Sequence, residues 1–188
     1  MKNSGNNISK MAVYGLTLVI TAFVATAQAD QKGDTAKVMA VKGKAQYSAA
    51  GGAWLPLELG KILSSGSVVK TFSDSQVDLF LKFNGPVIRV TADTTLGLTK
   101  LLYNESTRKV VIDTKLDLSS GRILGNVRKL SATSRYEVII PSGTVSVRGS
   151  RIGSTQYDIM ASGLVTVSQY STVQKIPPGT HLGALLGK

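Results

Sequence analysis

Cysteine is absent from this chain and histidine occurs once, at His181. Without cysteine there is no disulfide framework, no thiol nucleophile and no lipoprotein anchor, and a single histidine excludes multi-histidine metal sites. Aromatic residues are scarce at 6% of the chain, with Trp54 the lone tryptophan. Acidic residues number 11 against 22 Lys and Arg, giving a net charge of +11. Long apolar runs are limited to Ala12 to Val24, short of the ~20 residues of a membrane-spanning helix.

The N-terminus has the order of a secretory leader: Lys2 and Lys10, the apolar run, then Ala27-Gln28-Ala29 as a small-x-small site. Residues 1–29 are therefore read as a signal peptide cleaved after Ala29, with retention as an anchor the alternative. Cleavage removes two of the 22 basic residues and none of the 11 acidic ones, leaving about +9 on a chain of single-domain size. No later apolar segment approaches spanning length, so the mature chain is expected to carry no spanning segment. A basic surface fits anionic neighbours such as cell-wall polymers, lipopolysaccharide or phospholipid headgroups, or equally a solvated cationic face.

Beyond Asp30 the pattern is one of short alternating segments with turn punctuation, and no amphipathic helix exceeds two turns. Gln76 to Phe83 is the clearest strand: Val77, Leu79, Leu81 and Phe83 alternate with Gln76, Asp78, Phe80 and Lys82, so one face is buried. Further strands are expected at Lys37 to Tyr47, Ser67 to Phe72, Val87 to Thr91, Lys109 to Leu116, Arg135 to Ile140, Thr144 to Val147 and Leu164 to Tyr170. Ala50-Gly51-Gly52, Ser65-Gly66, Asn84-Gly85-Pro86 and Pro141-Ser142-Gly143 punctuate them. The expected fold is all-β, a single compact β-roll or solenoid-like sandwich of many short strands rather than a closed barrel. One domain covers 35–176, and 177–188 forms a C-terminal tail.

Catalytic groups do not assemble in this pattern. His181 has no Gly-x-Ser-x-Gly elbow to serve. Asp74, Asp78, Asp113 and Asp117 could supply the two carboxylates of a glycosidase, but the last three alternate with apolar residues as on a solvated strand face. Asp74 lies in a turn-like Ser73-Asp74-Ser75. Gly143 to Gly149 lacks the Gly-Lys-Ser/Thr ending of a phosphate loop. Arg122, Arg128, Lys129 and Arg135 have no interleaved aromatic platforms, so nucleic acid is not expected as a partner. No catalytic residue, cofactor or metal is expected. Trp54, Leu55, Leu57 and Leu59 could form a ligand platform of the kind found in carbohydrate modules, but a single tryptophan followed by alternating leucines is expected in the core.

The order of the remaining signals carries a resemblance. Trp54, Leu55 and Leu57 lead to Gly60, Leu63 and Gly66, then to a strand ending in Thr71. Thr95-Leu96-Gly97-Leu98 follows, then Leu116-x-Leu118-Ser119-Ser120-Gly121-Arg122. Tyr136 to Ser150 closes the series as strand, Pro141, strand and Val147-Arg148-Gly149-Ser150. Over about Val38 to Val173 this resembles the FecR domain family. The chain departs from the family at Arg151-Ile152-Gly153, where an acidic or polar residue and Phe are usual, and in a closing turn blurred into Val165 to Tyr170.

The resemblance implies a mainly structural role for Trp54, Gly60, Gly66, Thr71, Gly121, Pro141, Val147, Arg148, Gly149 and Ser150. Arg148, beside a flexible Gly149, either ties backbone carbonyls together or contacts a partner. Members that transduce signals join a cytoplasmic sigma-factor-binding segment, one membrane helix and a periplasmic sensing domain. The short stretch before Ala12 offers no room for that first segment, so the resemblance is to stand-alone exported members. It implies an exported, non-enzymatic binding or scaffolding module of the cell envelope, periplasmic or secreted. Its partner would be an envelope protein met through an exposed strand edge. The alternative is a basic polysaccharide- or peptidoglycan-binding protein whose partner is an anionic cell-wall polymer.

Overall fold

Apolar residues at every second position turn one face of each segment inward and favour pleated strands. The computed structural model describes residues 31–83, 85–106, 109–127, 130–147, 155–169 and 172–176. The expected leader at 1–29, the expected tail at 177–188 and the motif Arg148-Gly149-Ser150 lie outside the described residues. The chain begins with β1 (Lys32–Gly33), β2 (Thr35–Lys42), β3 (Ala45–Ser48), β4 (Leu55–Pro56), β5 (Ile62–Ser64), β6 (Ser67–Thr71) and β7 (Gln76–Leu81). It continues with β8 (Gly85–Val90), β9 (Thr95–Ser106), β10 (Lys109–Ser120), β11 (Arg122–Val127) and β12 (Arg135–Ile140). The last strands are β13 (Gly143–Val147), β14 (Thr155–Met160), β15 (Val165–Gln169) and β16 (Thr172–Ile176).

These form two open sheets that face each other. The first runs β4-β3-β6-β9-β10-β12-β13, with β1 added to β9; the second runs β5-β2-β7-β8-β11-β14-β15-β16. The expected all-β, solenoid-like sandwich is what the chain builds. Between the sheets, Leu96, Leu98, Leu116, Leu118 and Val138 share one buried core with Val38, Val77, Leu79, Val90, Ile123 and Ile159. Most pairings are antiparallel, but β10 and β12 run parallel, from Asp113↔Arg135 to Asp117↔Ile139.

The solenoid character comes from stacked corners where the chain crosses between sheets. One is at Gly43 (φ 73), another at Gly121 (φ 82), both in the left-handed region that favours glycine. Backbone hydrogen bonds ladder successive corners: Phe72 N–H to the Lys44 carbonyl at 3.2 Å, Asp93 N–H to Phe72 at 3.3 Å, and Ala161 N–H to Gly121 at 2.9 Å. Ser75 Oγ accepts the Lys44 N–H at 2.9 Å and donates to the Ser73 carbonyl at 3.0 Å.

The structure differs from the sequence expectation in three places. Lys37 to Tyr47 is not one strand: Gly43 breaks it into β2 and β3, which lie in different sheets. The hairpin β9–β10 extends to 12 residues per strand, with bulges between Lys115 and Asp117 and between Leu118 and Ser120. β1, β4, β5, β9, β11, β14 and β16 were not expected as strands. In β11, Gly125 leaves space for a ring, since a Cβ there would lie 2.7 Å from Cε2 of Tyr157.

Candidate functional site

Of the motif residues, Thr71 and Gly121 meet at one joint. Thr71 is buried in β6; its hydroxyl donates to the Thr91 carbonyl and accepts the Thr94 N–H at 3.0 Å. Thr94 Oγ1 in turn accepts the Arg122 N–H at 3.0 Å and donates to the Ala92 carbonyl at 2.9 Å. Gly121 sits against this threonine, where a Cβ would approach Thr94 Cα to 2.6 Å. The pair is a hydroxyl-lined hinge pin between the sheets. Gly66 (φ 85) turns the chain from β5 into β6 and donates its N–H to the Leu98 carbonyl at 2.8 Å. Pro141 is exposed in the β12–β13 turn, and Val147 ends β13.

The expectation that Trp54 and its neighbouring leucines lie in the core is corrected. Trp54 is 46% exposed, Leu55 49% and Leu59 71%; of the four only Leu57, at 5%, is buried. The reason is position: β4 and β5 are the terminal strands of their sheets among the described residues, and no other described strand pairs with their outer sides. The link between them closes this end of the sandwich. Leu57 donates its N–H to Ala45 of β3 at 3.0 Å, and Gly60 donates to Val38 of β2 at 2.8 Å. Glu58 to Lys61 forms a tight turn, with a 3.2 Å bond from Lys61 N–H to the Glu58 carbonyl and Gly60 at φ 82. This is the geometry of a type II turn, with glycine at its third position. Leu57 plugs the core while Leu59 stands at the turn tip; Lys61 lies over the Tyr47 ring, 4.8 Å from its centroid.

At the far end of the first sheet β13 has one strand neighbour, β12, among the described residues. Its Val145 is buried, while Thr144 and Ser146 are half-buried on the other face. A cleft of 640 Å³ opens here, lined by Thr133, Ser134, Arg135, Tyr136, Glu137 and Ser146. A second of 340 Å³ shares Thr133 and Arg135 with it and adds Asp113. Tyr136 bonds hydroxyl to hydroxyl with Tyr157 of the other sheet at 2.6 Å. Burial pushes both phenols well above their ordinary value, so they remain neutral across the physiological range and act as a structural bond. The Thr114 and Thr155 hydroxyls are buried with no hydrogen-bond partner among the described residues.

Of the four carboxylates weighed for catalysis, Asp78 and Asp113 are held in ion pairs and Asp117 accepts the Ser119 hydroxyl at 3.3 Å. Asp78 accepts two bonds from Arg89 at 2.8 and 2.9 Å, and Lys100 reaches Asp113 at 2.7 Å. Asp74 holds a left-handed turn position at φ 54. Arg122, counted in a basic cluster by sequence, is instead paired with Asp158 at 2.8 and 2.6 Å. Its charged form is strengthened by that bond. Among the described residues no three His, Asp or Glu gather as metal ligands, and no helix is long and apolar enough to cross a membrane. Sequence reasoning missed the Arg135 cleft, whose walls are joined by the parallel pairing of β10 with β12, a contact with no local signature.

Comparison with known proteins adds one match: the family model described as FecR protein covers residues 67–169. That span contains Thr71, Gly121, Pro141 and the Val147 to Ser150 motif, and begins after Trp54, Gly60 and Gly66. No curated protein and no solved structure matches the chain. With more than half of its residues inside that match, the chain belongs to the FecR protein family.

Proposed function

We propose that this protein is an exported, non-enzymatic binding and scaffolding module of the cell envelope that offers the β13 edge to a strand of another envelope protein. The observation that carries this reading is that β13 has a strand on one side only among the described residues, beside the 640 Å³ cleft. An added strand gains backbone hydrogen bonds along such an edge, and an adjacent pocket selects its side chains. Neither Lys nor Pro guards Gly143–Val147, although both are common devices for blunting edges. Membership of the FecR family supports a sensing or signal-relay role for that contact.

The test is a photo-reactive side chain at Thr144 in the producing cells. A covalent adduct with an envelope protein, lost when Ser146→Lys charges the edge, is expected. No adduct, or one indifferent to Ser146→Lys, overturns the reading. Export is tested by the N-terminus of protein recovered from separated periplasm, membrane and medium, with Asp30 expected first. A second reading, binding of an anionic cell-wall polysaccharide, draws on Lys44 and Lys70, whose ammonium groups lie 5.3 and 5.6 Å from the Phe72 ring centroid. Polymer held by charge dissociates as salt shortens the screening length, whereas a strand-edge contact persists.

A further inference from the structure

Five of the seven large hydrophobic residues exposed among the described residues belong to one end of the sandwich: Met39, Trp54, Leu55, Leu59 and Ile62. Single exposed apolar residues are ordinary, but a group on one surface marks a contact site. Their carriers are β2, the terminal strands β4 and β5, and the turn between them. Leu59 is the most exposed of the five, on a turn pinned by the Gly60 bond to Val38, so its display does not depend on a loose loop.

The charge around this end is mainly basic. Between Thr35 and Phe72 the chain carries Lys37, Lys42, Lys44, Lys61 and Lys70, all exposed, against one acid, Glu58, and the exposed Asp74 adds a second beside the Gly43 corner. A second copy docked here would set lysines against lysines. Strand addition is disfavoured as well, because β4 is 2 residues long and includes Pro56, and β5 is 3 residues long. The two clefts around Arg135 lie away from this end.

An exposed Trp and Leu tip within a lysine rim matches a surface that is anionic outside and apolar beneath. We propose that this end of the domain docks on an anionic lipid surface. Leu59 and Ile62 enter the headgroup–acyl boundary, the Trp54 indole rests at the interface, and the lysines meet lipid phosphates. This inference is independent of the β13 edge, which lies at the other end of the first sheet.

Trp54 is the lone tryptophan, so its fluorescence reports this end alone. The protein with its native N-terminus is mixed with phosphatidylglycerol–phosphatidylcholine vesicles brominated on the acyl chains, and with brominated phosphatidylcholine vesicles. A retained leader would tether every variant alike, so the readout is the quenched fraction of Trp54 rather than the bound fraction. Quenching and a blue shift are expected on the anionic vesicles and not on the neutral ones. Leu59→Asp should abolish both while melting with the parent. Lys37→Gln and Lys61→Gln should each lower the quenched-to-unquenched ratio about fivefold. Ser146→Lys should change nothing, which separates this surface from the β13 edge. Trp54 left unquenched on anionic vesicles overturns the proposal. So does a blue shift that follows protein concentration alone, which assigns the surface to a second copy. A shift seen only with an acidic envelope protein assigns it to a protein partner and overturns the proposal equally.

Discussion

Replacing Gly121 by alanine tests the joint between the sheets, and Gly60→Ala supplies its reference. Both glycines have φ 82, so both variants incur the left-handed backbone cost of an L-residue, about 1–2 kcal/mol. They differ in space. A Cβ at Gly60 meets nothing within 4 Å, whereas at Gly121 it would lie 2.6 Å from Thr94 Cα and 2.7 Å from Thr94 Cβ. The backbone of Thr94 cannot yield cheaply, because its N–H is bound to Thr71 and its hydroxyl holds the Arg122 N–H. Forcing a methyl into such a site adds about 1–3 kcal/mol. Gly121→Ala should therefore lose about 2–5 kcal/mol in urea unfolding with unchanged m, against about 1–2 kcal/mol for Gly60→Ala. In thermal scans the larger loss corresponds to a Tm drop of roughly 5–15 °C for a domain of this size. If the two variants unfold within about 0.5 kcal/mol of each other, the close approach of Gly121 to Thr94 is not what holds the joint.

Leu57→Ala should cost about 2–5 kcal/mol while Leu59→Ala costs less than about 0.5, because only the first is buried; equal losses in denaturant melts would refute the orientation of this turn. Tyr157→Phe leaves the Tyr136 hydroxyl buried without its partner and should cost about 1–3 kcal/mol, with the double variant Tyr136→Phe/Tyr157→Phe losing less than the sum of the singles. Both phenols titrate higher in the folded protein than in the unfolded chain, so their contribution is fully present below the ordinary tyrosine value of 10.0 and is lost as pH rises above it. Alkaline unfolding should be steep in the parent and shallower in the double variant. Asp158→Asn breaks a pair whose arginine is 43% exposed, so the loss should stay below about 1 kcal/mol and shrink with salt.

The strand expected at Gln76 to Phe83 was legible as far as Leu81 because period two is a local property: Val77, Leu79 and Leu81 form the inward row, while Phe83 lies beyond the strand and is half-buried. The all-β class and the glycine turns at Gly66 and Gly121 follow from the same short-range rules, whereas the family was recognised by resemblance and is matched over residues 67–169. Trp54 shows where local reading stops. The alternation through Leu55, Leu57 and Leu59 announces a face, but whether that face is covered depends on which strands end each sheet. Strand order is set by pairings between distant residues, such as Asp113 with Arg135 and Ala36 with Leu81, whose register is fixed only when both faces find their neighbours. Composition and periodicity thus determined the all-β class, the turns at Gly66 and Gly121 and the basic charge, but not the corner at Gly43. Only the tertiary structure decided that β4 and β5 end their sheets and leave Trp54 and Leu59 in solvent, because burial belongs to the assembled sheets and not to any single segment.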